Sequence, residues 1–80
     1  MKMSNILQNN ERYAILLVSA EGVVENIDSY KSYENAKIVY EWWKNRYKNK
    51  SNYTIKLVII DETFNKVEDY KELLEEWSIK

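Results

Sequence analysis

The strongest constraint on the fold is the segment of residues 12–19, which contains nearly all of the most apolar run of the sequence, Tyr13–Ala20. Its residues favour β structure, and in a strand they alternate between two faces. One face would carry Tyr13, Ile15 and Leu17, and the other Ala14, Leu16 and Val18. Because both faces are apolar, we expect both to be covered, at least in part, and we interpret the segment as the central strand of a sheet.

The single glycine, Gly22, lies just after this strand. Glycine adopts a positive φ without steric cost, so we predict a hairpin turn at residues 20–22, formed by a type I turn that a bulge closes. Residues 23–28 then form a shorter return strand. Its polar composition is typical of the edge of a sheet.

A helix is predicted for residues 33–48, with Ser32 as its N-cap. Apolar side chains recur there at helical spacing and form one stripe that would face the sheet. The residues of this stripe are Ala36, Val39, Tyr40, Trp43 and Tyr47. Residues 53–61 form a third strand with one fully apolar face and one partly polar face.

The last part of the chain predicts a second helix, at about residues 66–77. Asn65 and Glu68 have the spacing of a capping box. The apolar residues that follow at helical spacing are Val67, Tyr70, Leu74 and Trp77. A strand at residues 66–70 is the competing interpretation, but alternation there would bury Glu68 or Asp69.

Together these elements predict a single α+β domain with the order ββαβα. Its three-stranded antiparallel sheet has the spatial order 2-1-3, because a crossover through the helix places the third strand beside the first. The sheet packs against helix 33–48. We expect residues 1–10 to be a flexible N-terminus and residues 11–80 to be the domain. With no targeting or membrane-spanning segment visible, we expect a cytoplasmic protein with no membrane partner.

The residue types that most enzymes use are missing. The sequence has no histidine and no cysteine, so it lacks an imidazole base, a thiolate nucleophile and the usual zinc ligands. One glycine is too few for the phosphate-binding loops of nucleotide enzymes. We therefore predict a non-enzymatic protein with no cofactor and no metal.

Net charge is −1, but the charges are unevenly distributed. The segment 44–56 is basic and interleaved with tyrosines, which makes Lys44, Lys48 and Lys50 possible contacts for nucleic acid. The end of the chain is acidic, and a helix there would carry Glu68, Asp69, Glu72, Glu75 and Glu76. These acids form either an ordinary solvated helix face or a surface that mimics nucleic acid.

The first helix carries a second set of large side chains away from its core stripe. At about 100° per residue, Ile38, Trp42 and Arg46 share one face nearly opposite that stripe. Adjacent Trp42 and Trp43 cannot both reach the core centre. Either the N-terminal residues or the last helix covers Ile38 and Trp42, or the three residues anchor an interface, since Trp and Arg are enriched at binding hot spots.

The sequence thus favours a protein-binding module with a protein partner or a second copy of itself. An Asn-, Lys-, Ile- and Tyr-rich composition adds the hypothesis of a phage- or mobile-element-encoded inhibitor that occludes a host protein. The alternatives are a nucleic-acid-binding protein that uses segment 44–56 and an acidic mimic that uses helix 66–77. A homodimer is compatible with each of these hypotheses.

Overall fold

A computed structural model describes residues 7, 10–61 and 70–79 of the chain. These residues form strand β1 (Glu11–Val18), strand β2 (Val24–Tyr30), helix α1 (Tyr33–Arg46), strand β3 (Thr54–Asp61) and strand β4 (Glu72–Ser78). The strands form one sheet in the order β2-β1-β3-β4, and every neighbouring pair is antiparallel. The predicted α+β class is confirmed, but the sheet has four strands rather than three.

Strand β1 lies between β2 and β3, as its apolar composition predicts. One of its faces packs beneath α1, where Tyr13, Ile15 and Leu17 join the helix in what we call the helix-face core. Its other face forms the far-face core, in which Ala14, Leu16, Val18, Val58 and Ile60 are all buried. The double-sided burial is the reason that this strand has no regular polar alternation.

The β1–β2 hairpin closes as the single glycine predicts. The amide of Gly22 donates to the carbonyl of Ser19 at 2.9 Å, and Gly22 has a φ of 84°. The amide of Ser19 in turn donates to the carbonyl of Val23 at 2.9 Å. A side chain at position 22 would meet no neighbouring atom, so the positive φ alone accounts for glycine at this position.

Helix α1 begins at the predicted cap. The hydroxyl of Ser32 accepts a hydrogen bond from the amide of Asn35 at 3.3 Å, which satisfies one of the amides that the first turn leaves unpaired. The helix ends at Arg46, slightly earlier than predicted. Its inner side buries Ala36, Tyr40 and Trp43 against the sheet.

The predicted second helix, residues 66–77, is wrong over its described part, because residues 72–78 form strand β4 on the outer edge of β3. The physical reason is a β-bulge. Leu74 and Trp77 are three residues apart and would face opposite ways in a regular strand. The pairing with β3 shifts between Leu57 and Val58, so both side chains reach the helix-face core and imitate helical spacing.

Other predicted segments lie mainly outside the described residues. They include the capping box and competing strand near residues 65–70 and most of the N-terminus 1–10. Within that N-terminus, Leu7 packs against the helix-face core. In the described part of the chain, no helix combines the length and the apolar composition needed to cross a membrane.

Candidate protein interface

The side of α1 that faces away from the sheet carries two large exposed apolar residues. Ile38 is 64% exposed and Trp42 is 61% exposed. They belong to a row at intervals of four residues, which neighbour one another on a helix surface. This row, the outer stripe, consists of Glu34, Ile38, Trp42 and Arg46, and all four residues are exposed.

The adjacent tryptophans lie in different environments, as the helical wheel predicts. Trp43 is only 4% exposed and its ring meets the Tyr47 ring edge-on, with centroids 5.6 Å apart. Trp42, by contrast, projects from the helix into solvent. Among the described residues, none covers Ile38 or Trp42.

Arg46 lies against the aromatic end of the outer stripe. Its guanidinium carbon is 6.0 Å from the centroid of the Trp42 ring and 5.6 Å from that of Tyr47. Contacts of this kind contribute about 0.5–1 kcal/mol at exposed sites. They restrict the orientations of Trp42 and Arg46, which lowers the entropy that a partner would have to remove on binding.

The side of α1 that faces β4 carries charges that are already paired within the chain. Lys37 bonds to Glu75 of β4 and lies 3.2 Å from Glu41, and Lys44 lies 3.1 Å from the same Glu41. Hydrogen bonds from Lys44 and Lys37 lower the pKa of Glu41. Burial opposes the charged form of Lys37, but its hydrogen bonds to Glu75 and Glu41 raise its pKa overall.

The charges of the outer stripe are not satisfied in this way. Among the described residues, Glu34 and Arg46 have no salt-bridge partner, whereas Lys37, Glu41 and Lys44 do. Glu34 is the residue of the stripe that the sequence reasoning did not select as a site. The available signal was its place four residues before Ile38, but an acid in the first turn of a helix is also explained by the helix dipole.

Two of the three lysines predicted to contact nucleic acid, Lys44 and Lys50, contact different side chains within the chain. Lys44 pairs with Glu41 and lies 5.3 Å from the Tyr40 centroid and 5.8 Å from that of Trp77. Lys50 lies 4.7 Å from the centroid of Tyr53, whose hydroxyl donates to Glu25. Lys48 is exposed. A phosphate bound at Lys44 would compete with Glu41, whereas Lys48 and Lys50 make no salt bridge in the described part of the chain, so nucleic-acid binding stays a prediction.

The predicted acidic surface does not lie on a helix in the described part of the chain. Glu72, Glu75 and Glu76 belong to β4, and Glu68 and Asp69 lie outside the described residues. Glu75 is on the α1 side, where it bonds to Lys37, while Glu76 pairs across from Lys56. The three described acids are thus divided between the two faces of a strand, so the helical geometry assumed for a nucleic-acid mimic is wrong here.

An open cleft of about 450 Å³ lies where the β1–β2 turn meets the ends of β3 and β4. Its lining consists of Ala20, Asn52, Tyr53, Thr54, Ser78 and Ile79. The hydroxyls of Thr54 and Ser78 lie 3.4 Å apart. Among the described residues that line the cleft, Tyr53 alone is titratable, and its hydrogen bond to Glu25 raises its pKa. These described residues therefore supply no base or activated nucleophile near neutral pH.

The outer stripe is the candidate site that the geometry supports best. No protein-family model, curated protein or solved structure matches this chain. The described residues also contain no group of three or more His, Cys, Asp or Glu side chains arranged to hold a metal ion. The features that distinguish the outer stripe are its exposure, its spacing and its charge.

Proposed function

We propose that this protein is a non-enzymatic binding module that docks on a protein partner through the outer stripe of α1. The observation that carries the proposal is the exposure of Trp42, at 61%, beside an equally exposed Ile38. Burying the exposed part of one tryptophan would contribute roughly 2–4 kcal/mol before the costs of association. That contribution is of the size found at binding hot spots.

The stripe defines the chemistry of its partner. Ile38 and Trp42 require an apolar recess, and the flanking charges require an acid near Arg46 and a base near Glu34. Such an arrangement is typical of helix-in-groove recognition, in which side chains one turn apart serve as anchors. A module of this kind acts by occluding the partner's surface, which is also the action of the inhibitor hypothesised from the composition.

Site-specific photocrosslinking tests the proposal without removing the anchors. A benzoylphenylalanine at Asn45, which is exposed and three residues after Trp42, should give one discrete adduct in the cells that produce the protein. The partner is identified by mass spectrometry and then purified. Adduct formation from the two purified proteins should disappear when Trp42→Ala is added to the labelled chain.

The matched control places the same crosslinker at Val23, which is 56% exposed but lies at the hairpin rather than on α1. A partner specific to the outer stripe should not be captured from this position. Equal capture from both positions, or an adduct that survives Trp42→Ala, would count against docking through the stripe.

A further inference from the structure

The outer stripe carries an acid at its N-terminal end and a base at its C-terminal end. Its order along α1 is acid, apolar, apolar, base, at constant intervals of four residues. A second stripe laid antiparallel on it places base against acid at both ends and apolar residues together in the middle. The stripe therefore supplies the groups that it requires of a partner, namely a base, an acid and an apolar surface between them.

We propose that the docking partner is a second copy of this chain, with the two α1 helices antiparallel about a two-fold axis. This inference rests on the proposed function and names its partner. The axis passes at the level of Tyr40, midway between Ile38 and Trp42. Each Ile38 then lies level with Trp42 of the second copy, and each Glu34 lies level with Arg46 of the second copy.

The helix geometry fits this arrangement. At 1.5 Å per residue, the stripe from Glu34 to Arg46 extends about 18 Å along the axis. A two-fold axis repeats every contact, so one favourable pairing is made twice. A parallel arrangement in register would instead place Arg46 beside Arg46 and Glu34 beside Glu34. Like charges at close range repel, so the charge order selects the antiparallel direction.

The state of the charges in one chain supports the same arrangement. Within the described residues, Glu34 and Arg46 lack a salt bridge, so a second copy would not have to break one. The guanidinium of Arg46 is already held near the Trp42 ring. A carboxylate that approaches Arg46 therefore meets a donor whose position is partly fixed, which reduces the entropic cost of the pair.

The sheet edges are less suitable for self-association. Both edge strands carry acids and no basic residue in the described chain: Glu25 and Asp28 on β2, and Glu72, Glu75 and Glu76 on β4. Edge-to-edge pairing of two copies would bring these acids close together, and their repulsion would oppose it. Charged side chains commonly protect exposed edge strands in this way. The helix surface is thus the better self-complementary face.

The contact area predicts a weak and concentration-dependent dimer. A stable interface commonly buries about 800 Å² on each partner, and α1 has only 14 residues, of which one face takes part. We therefore expect a dissociation constant of roughly 50–500 µM. Sedimentation equilibrium from about 10 µM to 1 mM at low salt suits such an affinity, since screening weakens the charge pairs.

The test uses complementary charge reversals. Glu34→Arg gives a stripe with a base at both ends, and Arg46→Glu gives a stripe with an acid at both ends. Each variant alone should dimerise at least about tenfold more weakly than wild type, because like charges then meet twice. An equimolar mixture of the two should recover association, because every base again faces an acid. The double variant, Glu34→Arg with Arg46→Glu, should also dimerise.

Two further variants distinguish association through the outer stripe from association through another surface. Trp42→Ala should weaken the dimer by about 30-fold or more, while Val23→Ala should not change it, and circular dichroism checks that each variant is folded. A mixture of reversals that stays monomeric, a wild type that stays monomeric at 1 mM, or a dimer insensitive to Trp42→Ala would overturn the proposal. If the protein is a monomer but the crosslinker at position 45 still captures a different protein, then the partner is not a second copy. The proposal that the stripe docks on a protein would remain.

Discussion

Trp42 and Trp43 are neighbours in sequence and have nearly opposite environments. Trp43 is buried in the helix-face core, whereas Trp42 stands in solvent with Arg46 beside its ring. The same division holds along the whole helix. The inner side carries Ala36 and Tyr40 against the sheet, and the outer side carries Ile38 without cover.

The difference between the two sides separates the side chains that stabilise the fold from those that stay exposed. Burial of the inner side supplies free energy of folding, since the apolar area there is removed from water within the chain. Ile38 and Trp42 on the outer side stay mostly exposed, so most of their apolar area remains available for association. The charges follow the same division, with Lys37 and Glu41 paired on the β4 side while Glu34 has no salt bridge in the described chain.

Trp43→Ala should have the largest effect on stability. Truncating a buried tryptophan removes its transfer free energy and leaves a cavity, which together cost about 3–5 kcal/mol. A domain of this size has a total stability of roughly 4–12 kcal/mol, so the variant should lose about a quarter of it or more. Urea unfolding followed by circular dichroism measures the loss, with the milder Trp43→Phe as a folded reference. A loss below 1 kcal/mol would show that the inner side does not hold the fold.

Tyr40 should make the inner side sensitive to alkali. Burial is the main cause that raises the pKa of Tyr40 from 10.0 to about 12. The unfolded chain loses this proton at lower pH than the folded chain, so the stability contribution is complete below pH 10. It is lost as the pH rises from about 10 to about 12.

Urea unfolding at pH 8, 9, 10 and 11 checks the alkaline loss. Tyr40→Phe should make the decline between pH 10 and 11 shallower, because phenylalanine has no proton to lose. Some decline should remain, since burial also raises the pKa of Tyr13. Identical declines in wild type and variant would indicate that Tyr40 does not titrate differently in the two states.

Much of the fold could be predicted because its signals are local. The hairpin turn required a positive φ at one residue, and the only glycine lies there. The N-cap required a side-chain oxygen three residues before an amide of the first turn, and Ser32 supplies it. The central position of β1 followed from apolar residues on both of its faces.

The last strand could not be predicted from local spacing. Leu74 and Trp77 reach one core through a β-bulge, and the bulge arises from the pairing with β3 rather than from any residue type near them. A three-residue interval is compatible with a helix and with a bulged strand. The pairing that decides between them involves residues about 20 positions away, such as Ile55 opposite Trp77.

The candidate site was partly visible in the sequence. A helical wheel places Ile38, Trp42 and Arg46 on one side of α1, but it does not show whether another element covers them. That information is tertiary, and the exposure of the two side chains in the fold supplies it. The sequence does not distinguish Glu34, because an acid in the first helical turn has an ordinary explanation. Only its lack of a salt bridge in the described chain sets it apart.

Ser32→Ala should lower the stability of the domain moderately, because the cap holds the whole first turn of α1 and not one side of it. The hydroxyl of Ser32 accepts from the amide of Asn35, and loss of such a cap costs about 0.5–2 kcal/mol. For a domain of this length, each kcal/mol lowers Tm by about 4–8 °C. Calorimetry measures the change, and Ser32→Asp, which restores an acceptor, should recover most of it. A failure of Asp to recover stability would indicate that the serine acts by another contact.

Trp42→Ala should have the smallest effect on stability and therefore tests the comparison most sharply. The side chain is mostly exposed, and surface substitutions of this kind usually change the free energy of unfolding by about 0.5 kcal/mol or less. Loss of the contact with Arg46 raises the expected cost to at most about 1 kcal/mol, which is well below that of Trp43→Ala. The measurement is urea unfolding at low micromolar concentration, where self-association does not contribute, with Trp43→Ala as the contrasting variant. Acrylamide quenching of fluorescence should decrease strongly in Trp42→Ala, because the most accessible indole is gone while buried Trp43 remains. A loss above 1.5 kcal/mol would mean that the outer stripe also holds the fold, and the exposure of Trp42 would then no longer favour a binding role.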